Sequence, residues 1–142
     1  MSFIRTKTAL FTGLTALLLS VSAMAQTSLF EETFIETVEF CIGSTDDECE
    51  ELVLGKISQV RSASQGEWYD FELTIFAASI ADAWDDSMSL SVCSRLADAL
   101  LEISESVESD TLASNIAILS TVIRECEGIG IIADELLASP DR

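Results

Sequence analysis

The sequence has no histidine among its 142 residues. Histidine is the commonest general base, and both the Ser-His-Asp and the Cys-His catalytic arrangements require it. Carboxylates remain as candidate catalytic groups, but with 25 acidic residues some will lie close together in any fold, so proximity alone has no specificity. The chain also has no C-x-x-C pair that would suggest a metal or redox site. We therefore expect a non-enzymatic protein with no catalytic residues, no metal and no cofactor.

Basic residues are scarce, with 7 lysines and arginines against 25 aspartates and glutamates and a formal net charge of −18. Nucleic-acid phosphates and anionic membrane surfaces both attract lysine and arginine, so the composition excludes nucleic acid and membranes as partners. Two interpretations of the acidic excess stay open. In the first, the carboxylates only keep the surface solvated. In the second, they recognise a cationic protein partner.

Proline and glycine are also rare, with one proline and six scattered glycines. No glycine-rich phosphate loop joins a strand to a helix, and no run alternates in the manner of a strand. The sequence has no low-complexity linker and no internal repeat. We predict a single all-α domain, a small antiparallel bundle of five to six helices.

Residues 1–25 have the features of a cleaved secretory signal peptide. Arg5 and Lys7 precede an apolar stretch, ALFTGLTALLLSV, and Ala23 and Ala25 form a small-x-small cleavage site. The apolar stretch is shorter than the roughly 20 residues that span a bilayer. We expect the mature chain to begin at Gln26, to occupy residues 26–142 and to be periplasmic or secreted.

Capping patterns predict where the helices begin. The segment from Glu67 to Asp86 is apolar over more than half of a helical circumference, so we predict that it is the central helix of the bundle.

The apolar tail from Ile129 to Leu137 is expected to close the bundle. The predicted helix starts are the boxes Ser28–Glu31, Thr45–Glu48 and Ser64–Glu67, and the cap at Ser109.

Four cysteines in an exported chain of this size predict two disulfides, for which three connectivities are possible. If consecutive helices run antiparallel, all four cysteines lie at the same end of the bundle. Pairing of nearest neighbours then joins Cys41 to Cys49 and Cys93 to Cys126.

A ligand pocket is possible along the central helix, lined by Trp68, Phe71, Glu72, Phe76 and Trp84. Aromatic residues at helical spacing are more often core, and only unfilled volume would make a pocket. Glu72 projects into the apolar arc, where a carboxylate needs a partner. It either forms a salt bridge with Arg61, Arg95 or Arg124, lies partly exposed at a helix crossing, or is the polar anchor of the pocket.

Two acidic clusters suggest calcium binding, which ranks as the weakest of three functional hypotheses. They are the segment 46–51 and the group Asp82, Asp85 and Asp86. The first lacks the spacing of an EF-hand loop and is explained by helix capping and solvation, and the second is explained by solvation.

The leading hypothesis is an exported, inhibitor-like interaction protein that binds a protein partner through its acidic faces, with a cationic partner as the more specific form of the hypothesis. The alternative is a carrier of a small hydrophobic ligand in the core of the helical bundle. No motif assigns the chain to a family.

Overall fold

The computed structural model of the chain describes residues 27–126, 133 and 135–138, and it confirms an all-helical bundle with two disulfides. The signal peptide at residues 1–25 and the start of the mature chain at Gln26 lie outside the described residues. None of the described helices combines the length and the apolar character that crossing a membrane requires. The helices are α1 (Glu31–Gly43), α2 (Asp46–Ala63), α3 (Glu67–Ala83), α4 (Leu90–Ser106) and α5 (Asp110–Arg124).

The fourth helix is the hub of the bundle. It packs against each of the other four helices, and most extensively against α5. Helix α3, which the sequence predicts as the central helix, packs mainly against α1. That prediction is wrong because the width of a helix's apolar face shows how much of the helix is buried and not how many helices it contacts. Helix α4 contacts the other four with small and aliphatic side chains, including Leu96, Ala97, Leu100 and Ile103.

The two disulfides join Cys41 to Cys49 and Cys93 to Cys126, as predicted. The first spans the turn between α1 and α2, and the second ties the start of α4 to the residue just beyond α5. Cys126 has a φ of 62°, a left-handed conformation that L residues seldom adopt, and its N–H donates to the carbonyl of Ile123. The disulfides therefore fasten both pairs of neighbouring helices at their shared ends.

Two of the predicted caps form and two do not. Thr45 and Glu48 make a reciprocal capping box at the start of α2, and Ser109 accepts a hydrogen bond from the N–H of Leu112 at the start of α5. The N-cap of α1 is Phe30, whose side chain has no acceptor for a cap. The Ser28 hydroxyl accepts from the N–H of Phe30 and donates to Glu72 on another helix, so the predicted box with Glu31 does not form.

The start of α3 also differs from the prediction. Its N-cap is Gly66, which has a φ of 60° and no side chain to cap the helix. Ser64 instead ends α2, where its N–H donates to the carbonyl of Val60. The connection between α2 and α3 is so short that Ser64 belongs to the end of one helix and cannot also begin the next.

The described part of the C-terminal tail packs on the bundle, as expected. Ala133 is buried, Leu136 and Leu137 contact the core, and the N–H of Leu137 donates to the carbonyl of Ala133. This helical turn covers apolar core surface, which a domain of this size needs in order to be stable.

Candidate functional site

An acidic cleft of about 200 Å³ lies between α2 and α4. These two helices run in the same direction, because Asp46 at the start of α2 contacts Arg95 near the start of α4. Carboxylates one turn apart on each helix therefore face the same groove. The cleft is lined by Asp46, Cys49, Glu50, Arg95, Asp98, Ala99, Leu101, Glu102 and Glu105.

Arg95 is the one basic residue among those that line the cleft, and it is already engaged. Its Nε donates to Asp46 Oδ1 at 2.8 Å, and its Nη1 donates to the carbonyls of Cys41 at 2.9 Å and Ile42 at 3.3 Å. Those carbonyls belong to the last turn of α1, which has no intrahelical donors left. Arg95 thus caps α1 and fixes it to α2 and α4. Within the described residues, no ion pair includes any of the three glutamates that line the cleft.

Glu102 shows the electrostatic consequence. Burial raises the pKa of its carboxyl above the ordinary 4.5, and the neighbouring carboxylates of Glu105, Glu50 and Asp98 raise that pKa further. A hydrogen bond between the carboxyl groups of Glu102 and Glu50 acts in the same direction. Like charges held this close destabilise one another, so a cationic group placed in the cleft would be favourable.

The five residues of the predicted ligand pocket do not all lie at one place on α3. Phe76 is fully buried, and its ring stacks on that of Phe34 with centroids 4.4 Å apart, so it belongs to the core. Trp84 follows the last residue of α3, which places it about 24 Å along the helix axis from Trp68. Its Nε1 is buried and has no hydrogen-bond partner within the described residues. Phe76 and Trp84 therefore do not share a pocket with Trp68.

Trp68 and Glu72 do line a common pocket, a shallow one of about 340 Å³ at the opposite end of α3 from Trp84. The indole of Trp68 is 44% exposed and meets the ring of Phe71 edge to face, with centroids 5.8 Å apart. The pocket is lined by Thr27, Leu29, Ala63, Ser64, Gln65, Trp68 and Glu72.

Glu72 is buried, but its partners differ from those expected. Its Oε1 accepts a hydrogen bond from the Ser28 hydroxyl at 2.6 Å, and its Oε2 accepts one from the Leu29 N–H at 2.7 Å. Within the described part of the chain no ion pair includes Glu72. Its carboxylate holds the segment that enters α1, where the sequence suggested an arginine partner.

The three arginines proposed for Glu72 have other partners. Arg95 is bound to Asp46, and Arg124 donates to Asp98 at 2.8 Å. Arg61 donates to the hydroxyl of Tyr69 at 2.6 Å and lies over the ring of the same tyrosine. Each arginine thus joins two elements of the bundle.

Four residues of the acidic clusters that suggested calcium contribute to local structure. Asp46, Asp47 and Glu48 occupy the first turn of α2, where carboxylates favour the positive end of the helix dipole. Asp85 accepts hydrogen bonds from the N–H and hydroxyl of Ser87, and these bonds hold the pKa of Asp85 below its ordinary value. Among the described residues, no three acidic or cysteine side chains are placed to hold a metal ion.

Asp70 has a structural role that no pattern in the sequence indicates. Its two carboxylate oxygens accept hydrogen bonds from the N–H groups of Glu108 and Ser109, at 2.8 and 2.9 Å, in the turn between α4 and α5. The residues are almost 40 positions apart, and no local pattern marks such a contact.

The chain matches no protein-family model, and the comparisons with characterised proteins and with solved structures found no match.

Proposed function

We propose that this protein is an exported, non-enzymatic interaction protein that binds a cationic protein partner in the acidic cleft between α2 and α4. The observation that carries the proposal is the lining of the cleft. Of its five carboxylates, two are paired with arginines, Asp46 with Arg95 and Asp98 with Arg124, and the three glutamates have no ion pair within the described residues.

The shape and charge of the cleft suit a lysine or arginine side chain. The carboxylates of Glu50 and Glu102 would pair with the cationic head, while Leu101 offers apolar surface to the aliphatic stem. The net charge of −18 adds a long-range field that speeds the encounter with a cationic partner. Binding of this kind weakens steeply as salt rises.

The site of action that we propose is the periplasm or the extracellular space. Two disulfides fit a location outside the reducing cytoplasm. The signal-like segment at residues 1–25 supports export, and sequencing the N-terminus of the exported protein tests it. A first residue other than Gln26 would contradict the predicted cleavage site.

The proposal is tested by capture on the immobilised protein from the exported fraction of its own host. We expect a basic protein to be retained at low salt and released by a salt gradient. The double variant Glu50→Gln/Glu102→Gln, which removes two charges from the cleft, should lose that protein.

The matched control is Glu36→Gln/Glu39→Gln. Both residues are exposed on α1, neither lines the cleft, and the change in net charge is the same. This control should retain the partner. Equal loss from both double variants would show that net charge alone attracts the partner, and salt-independent retention would argue against the proposal.

A carrier of a small hydrophobic ligand remains the second candidate. The exposed indole of Trp68 at a shallow pocket favours it, although Phe76 and Trp84 lie elsewhere. Tryptophan fluorescence that does not respond to any fatty acid or apolar probe would remove this candidate.

A further inference from the structure

The pocket at the start of α3 combines an accessible indole with a buried carboxylate. Trp68 and Glu72 are one helical turn apart on α3, so their side chains are neighbours on the same face. Leu29, which is 76% exposed, forms the opposite apolar wall. The pocket thus has an aromatic face, an aliphatic wall and a negatively charged floor.

The charge of Glu72 has no counter-charge within the described residues. The residue Glu72 is 1% exposed, and the two groups that donate hydrogen bonds to its carboxylate, the Ser28 hydroxyl and the Leu29 N–H, are neutral. Both contacts use carboxylate oxygens as acceptors, the role they have when ionised. A charge removed from water in this way acts more strongly on a nearby ion than an exposed carboxylate does.

From this combination we propose that the pocket binds a small organic ammonium ion. The alkyl groups of such an ion pack on the face of Trp68 and against Leu29, while its positive charge is attracted by the indole and by Glu72 behind it. A neutral apolar molecule of the same shape would fill the same space without these two attractions. A hydrated metal ion would have the charge without the apolar surface. The inference does not depend on the acidic cleft or on its partner.

The test uses choline and its uncharged isostere 3,3-dimethylbutan-1-ol, in which a carbon replaces the ammonium nitrogen. The exported protein, labelled with ¹⁵N, has two tryptophans and therefore two indole N–H signals. Choline, titrated into the millimolar range against sodium chloride at equal ionic strength, should shift the Trp68 signal with saturation. The Trp84 signal, which comes from the other end of α3, should stay in place and is the internal control.

The isostere separates charge recognition from simple apolar binding. We expect the isostere to bind at least about twofold to fivefold more weakly than choline, the difference that a cation–π contact at an exposed site produces. Equal or tighter binding of the isostere would overturn the proposal and assign the pocket to neutral apolar ligands. The absence of a Trp68 shift with either compound would also overturn it.

The carboxylate is tested with Glu72→Gln and, as the matched control, Glu67→Gln, an exposed glutamate at the start of the same helix. The Glu72 variant should bind choline between about threefold and about a hundredfold more weakly, the Coulomb attraction of unit charges roughly 6 Å apart in bulk water and near a protein surface respectively. The Glu67 variant should bind as the parent does, and equal losses in the two variants would contradict the role of Glu72. An unchanged Trp84 signal confirms that a variant is folded. The comparison of choline with its isostere in the unaltered protein decides the proposal even if Glu72→Gln does not fold.

Discussion

Replacing Glu72 by leucine should destabilise the protein by releasing the segment that enters α1. The carboxylate accepts hydrogen bonds from the Ser28 hydroxyl at 2.6 Å and from the Leu29 N–H at 2.7 Å, across 44 and 43 residues of sequence. Leucine fills similar volume but offers no acceptor. The donors must then find water at the edge of the pocket or remain unpaired.

The magnitude follows from the two hydrogen bonds. A hydrogen bond to a charged group contributes about 1.5–3 kcal/mol, and water at the pocket edge recovers part of this. We expect a loss of about 2–4 kcal/mol for Glu72→Leu. Glu72→Gln keeps an acceptor for the Leu29 N–H and an amide that can donate to Ser28, so it should cost only about 1–2 kcal/mol. At about 4 °C per kcal/mol, the leucine variant should melt roughly 8–16 °C below the parent.

The assay is urea unfolding of the protein with both disulfides intact, followed by circular dichroism. Ser28→Ala should cost about 1 kcal/mol alone and much less in the Glu72→Leu background, because its partner is then already absent. The control Glu67→Leu, at an exposed position, should change stability by no more than about 0.5 kcal/mol. Replacing buried charges by apolar residues stabilises some proteins. A Glu72→Leu variant as stable as the parent would refute the reasoning.

Two further predictions concern Glu102 and the disulfides. Because the pKa of Glu102 is raised in the folded protein, the contribution of this residue to stability should increase as pH falls from neutral towards the ordinary value of 4.5. Glu102→Gln should raise stability at pH 7 and flatten this pH dependence, measured by urea titrations at several pH values. A variant less stable than the parent at pH 7 would contradict the prediction. Removal of the Cys93–Cys126 disulfide, which closes a loop of 33 residues, should cost about 3.7 kcal/mol, and removal of the Cys41–Cys49 disulfide, which closes a loop of 8, about 2.5 kcal/mol. Urea unfolding of variants with each cysteine pair replaced by alanine tests which disulfide contributes more. Equal losses of stability would contradict the prediction.

The helices and the disulfide pairing could be predicted because both follow from short-range patterns. Apolar spacing predicted the five helices found among the described residues, and the antiparallel order of consecutive helices placed Cys93 near Cys126. The capping box at Thr45 formed in an exposed turn, and both of its hydrogen bonds are local. Ser28 has the same local pattern, but its hydroxyl is bonded to Glu72 on another helix.

The candidate sites could be predicted only in part, because they depend on which helices are neighbours. The acidic excess is visible in the composition, yet the cleft exists because Glu50 on α2 and Glu102 on α4 face each other. Likewise, helical spacing places Trp68 and Phe76 on one broad apolar arc. It cannot show that α1 covers Phe76 with Phe34 and leaves Trp68 exposed.

The most direct test of the acidic cleft is the dissociation constant of the captured partner, measured for the parent and for the two charge-matched double variants at low salt. The account predicts that Glu50→Gln/Glu102→Gln weakens binding by about tenfold or more, the loss of about 1.4 kcal/mol or more expected when charges facing a cationic group are removed. It predicts that Glu36→Gln/Glu39→Gln changes the constant by less than about twofold. Equal weakening by the two variants, or none from the cleft variant, would contradict the claim that the cleft is where the partner binds.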